Sequence, residues 1–168
     1  GQTTCAYDPS KRLFVRTGDN ASPFTFWDLN NAGATNADKL VTVNASISAF
    51  QSWLATRSIS IRNCGLEFDP GAESFKIWCG DGVIWDLKSP VGNNGVSGWS
   101  ITRRDPATSS IPPGETTGTG VLGKWRYAAD YDVFVGLEGI QNGNVWIYRP
   151  LGWLVPNPNG NALPTVAL

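Results

Sequence analysis

Hydrophobic and polar positions alternate along most of this chain in short runs that end at Asp, Asn, Gly or Pro. Runs of this kind are residues 13–15, 74–78 and 133–135, each of which contains a phenylalanine. Short runs rich in aromatic and β-branched residues, bounded by turn residues, predict β-strands. One stretch, residues 46–55, has its apolar residues at helical spacing and predicts a short amphipathic helix.

The strand pattern occurs three times. In each unit an aromatic residue precedes a turn, a strand centred on phenylalanine follows, and a later strand carries tryptophan. The aromatic residues are Tyr7, Phe68 and Tyr127, the phenylalanines are Phe14, Phe75 and Phe134, and the tryptophans are Trp27, Trp85 and Trp146. Fourth strands are predicted at residues 40–43, 98–103 and 152–155. We expect an all-β fold of three tandem four-stranded antiparallel units, at about residues 1–60, 61–119 and 120–155.

Parts of these units resemble β-propeller blades. Trp27-Asp28 and Trp85-Asp86 each close an apolar strand, and residues 79–87 look like the end of a WD-repeat blade. The Asp8-Pro9 turn and the long repeat are similar to kelch-like blades of secreted bacterial multidomain proteins. The resemblance implies a partial propeller ring, completed by missing sequence or by oligomerisation. Residues 156–168 resemble a linker and the first strand of a following immunoglobulin-like module.

Composition narrows the function classes. The net charge is -1 and the chain shows no basic patch, so we expect no nucleic-acid partner. No apolar run approaches the roughly 20 residues of a membrane-spanning helix, so we expect no membrane insertion. The chain has no His, which excludes an imidazole base or ligand within it. It also has no Met, so we expect a processed product or a piece of a longer protein.

The cysteines predict one disulfide. Residues 69–72 read as a turn, and a hairpin that pairs Phe68 with Phe75 also pairs Cys64 with Cys79. Cross-strand neighbours are close enough for a disulfide, although buried reduced thiols are the alternative. Cys5 is left with a partner outside the chain or as a buried free thiol. A disulfide favours an oxidising compartment, so we expect a secreted or cell-surface bacterial protein.

Four residues are candidates for ligand binding. Trp53 and Trp125 border long connections, where an exposed indole stacks on a sugar ring or a cation. Arg103 and Arg126 are the candidates for an anionic polymer such as an acidic polysaccharide. The alternatives are ordinary packing for the two tryptophans and solvated surface charges for the two arginines.

Recurrence across the units favours structural roles for other residues. Trp27, Trp85 and Trp146 stand at equivalent positions and are expected to pack between units. Asp28 and Asp86, at strand ends, are expected to accept hydrogen bonds from turns.

The sequence predicts no catalytic residue, cofactor or metal site. A glycosidase needs two carboxylates roughly 5 to 10 Å apart, and no spacing pairs any two of the glutamates. The glutamates in question are Glu67, Glu73, Glu115 and Glu138. We expect a non-catalytic extracellular propeller module that binds polysaccharide or protein at its loops and is capable of self-association. The alternatives are part of a glycan-degrading lyase or hydrolase, and a structural subunit of a surface filament or sheath.

Overall fold

The protein is mostly β-structure. The computed structural model describes residues 3–31, 33, 37–108, 110, 113, 120–137 and 144–155. Within these residues lie three antiparallel sheets of four, four and three strands and one α-helix. The prediction of repeated antiparallel sheets is confirmed.

Each sheet is built from consecutive strands. The first sheet consists of β1 (Cys5–Asp8), β2 (Leu13–Thr17), β3 (Phe24–Asp28) and β4 (Lys39–Leu40), in that order. The second consists of β5 (Gly65–Asp69), β6 (Ser74–Trp78), β7 (Ile84–Lys88) and β8 (Ser100–Arg104). The third consists of β9 (Trp125–Ala128), β10 (Val133–Leu137) and β11 (Val145–Tyr148), with β10 in the middle.

The third unit differs from the sequence prediction. Residues 152–155 were expected to form its fourth strand, but they form no strand, so the described part of this unit has three. This segment holds Gly152, at φ +83°, and follows Pro150, and both residues disfavour a regular ladder. The predicted linker and new strand at residues 156–168 lie outside the described residues.

The second sheet packs on both of its faces. Alternate residues of β6 point to opposite sides: Phe75 and Ile77 join a core with the first sheet, whereas Trp78 joins a core with the third. Gly136 of β10 lies so close to the Trp78 ring that a Cβ atom at this residue would overlap the ring. The three sheets therefore form a stack with the second in the middle.

The predicted helix is confirmed as α1 (Ala45–Thr56). It begins at Asn44, whose side-chain Oδ1 accepts hydrogen bonds from the Ser46 and Ile47 N–H groups. The helix buries its apolar face against the first two sheets. The Phe50 ring lies 5.9 Å from Phe24 in the first sheet and 5.0 Å from Trp85 in the second, measured between ring centroids.

Strand register corrects one predicted equivalence. Trp27 pairs with Phe14, whereas the residues that pair with Phe75 and Phe134 are Leu87 and Tyr148. Trp27 therefore stands two residues out of register with Trp85 and Trp146. Trp85 and Trp146 pack in the two cores, as expected, but Trp27 lies on the face of the first sheet that no other sheet of the described residues covers.

The predicted hairpin and disulfide are confirmed. Phe68 pairs with Phe75, and Cys64 and Cys79 are joined by a disulfide with their Cα atoms 4.2 Å apart. Cys5 is free and exposed, so the alternative of a buried free thiol is wrong, whereas a partner outside the chain stays a prediction. Among the described residues no helix has the length and apolar character needed to cross a membrane.

Candidate functional site

Two of the four predicted ligand-binding residues lie close together. The Trp53 ring, on α1, lies 5.4 Å from the Trp85 ring. Arg103, on β8, is the cross-strand partner of Trp85 on the same face of the second sheet. Trp53 and Arg103 therefore both border Trp85 at the edge of the larger core, a proximity that their separation in sequence did not indicate.

Two further side chains complete this group, which we call the Trp53 patch: Trp53, Arg57, Asp81 and Arg103. The Arg57 guanidinium lies 5.2 Å above the Trp53 ring and forms an ion pair with Asp81, with 2.8 Å between Nη1 and Oδ2. Arg103 pairs with Asp105 at 2.7 Å and keeps 44% of its side chain exposed. The patch thus presents a part-buried indole beside two guanidinium groups.

The electrostatics of the patch centre on Asp81. Burial raises the pKa of the Asp81 carboxyl, and the nearby positive charges of Arg57 and Arg103 act in the opposite direction. The Trp53 indole N–H is buried and has no hydrogen-bond partner within the part of the chain that the structure describes. Because Arg57 covers one face of the Trp53 ring, a ligand would need to displace that guanidinium to stack on the same face.

Trp125 and Arg126 lie elsewhere. Trp125 is 2% exposed and packs against Trp78 and Phe134, so its ring is not available to a surface ligand. Its buried position follows from the third sheet packing on the second, which the sequence did not indicate. Arg126 points to the opposite face of β9, keeps 73% of its side chain exposed and pairs with Glu67 at 3.3 Å.

A polar cleft that the sequence analysis missed lies between loops of the first two units. Its lining residues are Lys11, Asp28, Asn30, Gly92, Asn93 and Asn94, and its volume is about 320 Å³. That volume is at the lower end of the range for small-molecule sites. The sequence signal was two Asn pairs, at residues 30–31 and 93–94, which resemble ordinary turn residues.

Hydrogen bonds fix the walls of the polar cleft. Asp28 Oδ1 accepts from Asn94 Nδ2 at 2.9 Å and from Asn30 Nδ2 at 3.0 Å. The Lys11 ammonium is held by the Ser89 hydroxyl at 2.7 Å and the Pro90 carbonyl at 2.8 Å. The bonds of Lys11 and Asn94 join the turn between β1 and β2 and the end of β3 to the loop between β7 and β8. The cleft is therefore a product of packing between units.

Asp28 is held in its charged form. Burial acts to raise its pKa, but hydrogen bonds donated by Asn94, Asn30 and Asn31 outweigh burial, and the pKa lies below its ordinary value. The Asn30 backbone N–H also donates to Asp28, which confirms the prediction that this residue accepts hydrogen bonds from a turn.

Asp86 has a different role from the predicted one. Its Oδ1 lies 2.6 Å from Lys76 Nζ and its Oδ2 lies 2.7 Å from Arg104 Nε, so it serves in an ion cluster and not in a turn. Lys76 also lies 3.2 Å from Asp69 Oδ2 and donates to Ser74. We call these five residues, all in the second sheet, the Lys76 ion cluster. Asp69, Lys76 and Asp86 are buried, whereas Arg104 keeps 38% of its side chain exposed, so the carboxylates of the cluster are not accessible to a ligand.

The glutamates considered for a catalytic pair do not form a site in the described residues. Glu67 pairs with Arg126, and Glu115 and Glu138 lie outside the described residues. In the described part of the chain no group of three or more Cys, Asp or Glu side chains is arranged to hold a metal ion.

No protein-family model, curated protein or solved structure matches this chain.

Proposed function

We propose that this chain is a non-catalytic, extracellular recognition module of the propeller type, and that it binds polysaccharide in the polar cleft. The observation that carries the proposal is the cleft itself, a concave site between the loops of two successive units. Ligand sites commonly occur where loops of neighbouring elements converge on a rigid scaffold.

The chemistry of the polar cleft suits sugar hydroxyls. The amide N–H groups of Asn30 and Asn94 are used on Asp28, which leaves their carbonyl oxygens as acceptors. Asn93 Oδ1 accepts from the Gly95 N–H, which leaves its Nδ2 as a donor. A hydroxyl group donates and accepts at once, so a set of fixed donors and acceptors is a suitable partner for it.

The extracellular assignment rests on the disulfide. Cys64 and Cys79 are buried and joined, and disulfides persist in oxidising compartments. The propeller assignment is supported by the stack of three sheets, in which the first strands of successive sheets, β1, β5 and β9, neighbour one another. Neighbouring first strands are expected where four-stranded sheets surround a common axis.

The Trp53 patch is the second candidate site for polysaccharide. The part-buried Trp53 ring and the exposed Arg103 guanidinium are the specific observations that favour it. Arginine recognises carboxylates by charged hydrogen bonds, so this site would prefer acidic polysaccharides. The polar cleft, whose lining contains one lysine and one aspartate, would prefer neutral ones.

Binding to immobilised neutral and acidic polysaccharides tests the proposal. The variants are Asn93→Ala for the polar cleft and Arg103→Ala for the Trp53 patch, with Asn144→Ala, an exposed residue outside both sites, as control. We expect Asn93→Ala to weaken binding about tenfold, the effect of one lost hydrogen bond. Arg103→Ala and the control should bind like the parent.

The other outcomes discriminate among the alternatives. Loss of binding in Arg103→Ala alone would assign recognition to the Trp53 patch. Absence of binding across the whole panel would contradict polysaccharide recognition. Release of shortened or unsaturated oligosaccharides during incubation would show a lyase or hydrolase, and would contradict a non-catalytic module.

A further inference from the structure

The strand registers define equivalent rows of residues across the three sheets. One row faces the preceding sheet: Phe68, Phe75 and Leu87 in the second sheet, and Tyr127, Phe134 and Tyr148 in the third. The same row in the first sheet is Tyr7, Phe14 and Trp27. No described segment packs on this face of the first sheet, which we call the front face.

The front face is more exposed than its equivalents. Tyr7 is 43% exposed, whereas its equivalent Phe68 is 7% exposed. Phe14 and Trp27 are half-buried, whereas Phe75 and Leu87 are buried. The first sheet thus has the same row of residues with which the second and third sheets pack on the sheet before them. In the first sheet no described segment covers this row.

The third sheet has no described segment packed on its opposite side, which we call the back face. Val135 and Ile147 of the back face are the equivalents of Val15 and Phe26, which the first sheet buries completely against the second. Ile147 is 63% exposed and Val145 is 58% exposed. The back face therefore has apolar residues at the positions where the first sheet has the apolar residues that pack on the second.

We propose that the front face of this chain binds the back face of a second copy of the same chain, head to tail. The two faces correspond to the two halves of the contact between the first and second sheets within each chain, and each would be buried by the other. Two copies joined reciprocally would bring six sheets into one closed ring. The inference is independent of polysaccharide binding, because neither the polar cleft nor the Trp53 patch contributes to these faces.

The charged side chains on the two faces do not oppose this contact. Arg16 lies on the front face, where it covers the Trp27 ring at 5.2 Å and pairs with Asp38 at 3.4 Å. Arg126 lies on the back face and pairs with Glu67 at 3.3 Å. Each guanidinium has its own carboxylate, so neither brings an unpaired charge into the interface.

The solution mass of the full chain, measured by light scattering over a range of concentrations, is the first test. We expect a concentration-dependent species of twice 18.1 kDa. Ile147→Glu places a charge in the back face and should weaken association about tenfold or more. Val91→Glu, at a loop residue that is 94% exposed, is the control and should associate like the parent.

A cross-link tests the orientation of the contact. Within the chain Trp125, the equivalent of Cys5, packs on Trp78, the equivalent of Leu137, with ring centroids 5.2 Å apart. The head-to-tail contact therefore brings Cys5 of one copy near Leu137 of the other. Leu137→Cys should form an intermolecular disulfide with the native Cys5 under mild oxidation. Ser52→Cys, exposed on α1, should not.

Each result decides the proposal. A dimer or higher head-to-tail species that Ile147→Glu dissociates and Leu137→Cys cross-links supports it. A chain that stays at 18.1 kDa at every concentration overturns it. If the unmodified chain instead forms a dimer through a Cys5–Cys5 disulfide, two front faces are in contact. This result also overturns the proposal. Unfolding curves of both glutamate variants exclude a simple loss of folding.

Discussion

Lys76 and Asp86 lie directly opposite each other on neighbouring strands, and Lys76 Nζ is 2.6 Å from Asp86 Oδ1 although both side chains are buried. The equivalent pair in the first sheet is Val15 and Phe26, which are apolar. The face of the first sheet that packs on the second is therefore apolar and aromatic at this pair, whereas the face of the second sheet that packs on the third contains charges. These charges pair within the second sheet, across its neighbouring strands, and a buried charge needs such partners to offset its loss of water.

Removal of the Lys76 charge should destabilise the protein strongly. Lys76→Met leaves two buried carboxylates without their shared cation, and breaking a buried ion pair costs about 3 to 5 kcal/mol. The free energy of unfolding, measured with urea, should fall by that amount. Lys88→Met, at an exposed residue of the same sheet, should change it by less than about 0.5 kcal/mol. Equal stabilities for the two variants would contradict a structural role for the cluster.

Stability should fall at alkaline pH because of Tyr148. Burial raises the pKa of Tyr148 to about 12, and the negative charge of Asp86 acts in the same direction. The folded state therefore holds the phenolic proton at a pH where the unfolded chain has lost it. The contribution is complete below about pH 10, the ordinary tyrosine pKa, and is lost as pH rises towards about 12.

The variant Tyr148→Phe isolates this effect. Its free energy of unfolding should fall less steeply than that of the parent between about pH 10 and 12, because phenylalanine has no proton to lose. Tyr7→Phe, at an exposed ring of the first sheet, should keep the parent slope. The same slope in all three proteins would show that Tyr148 does not control alkaline stability.

A methyl group at residue 136 should disturb the contact between the second and third sheets. An alanine Cβ at Gly136 would overlap the Trp78 ring, and overpacking of a core typically costs about 1 to 3 kcal/mol. Gly123→Ala is the matched control, because a Cβ there meets no atom within 4 Å. Thermal unfolding should show a clear loss for Gly136→Ala and little change for Gly123→Ala.

The disulfide should stabilise the folded chain by limiting the unfolded one. Cys64 and Cys79 are 15 residues apart, and closing a loop of that length contributes about 3 kcal/mol in the chain-entropy model. The double variant Cys64→Ala, Cys79→Ala should lose about that amount in urea unfolding. Cys5→Ala, at the free exposed cysteine, should match the parent. A double variant as stable as the parent would contradict this account.

The sequence by itself determined the local structure of this protein. The helix at residues 45–56, the pairing of Phe68 with Phe75 and the disulfide that follows from it were all predicted. Each depends on neighbours in the chain: apolar spacing defines a helix face, and a short turn defines the register of the hairpin around it.

Only the tertiary structure decided which face of each sheet is covered. The loops before Trp27, Trp85 and Trp146 differ in length. The order of these residues in the sequence therefore does not show that Trp27 is shifted by two residues relative to the other two tryptophans. Trp125 is buried because the third sheet packs on the second. The polar cleft joins Asp28 to Asn94, which are 66 residues apart. Contacts between distant segments depend on the packing of whole sheets. The alternation of apolar and polar residues within a single strand does not predict them.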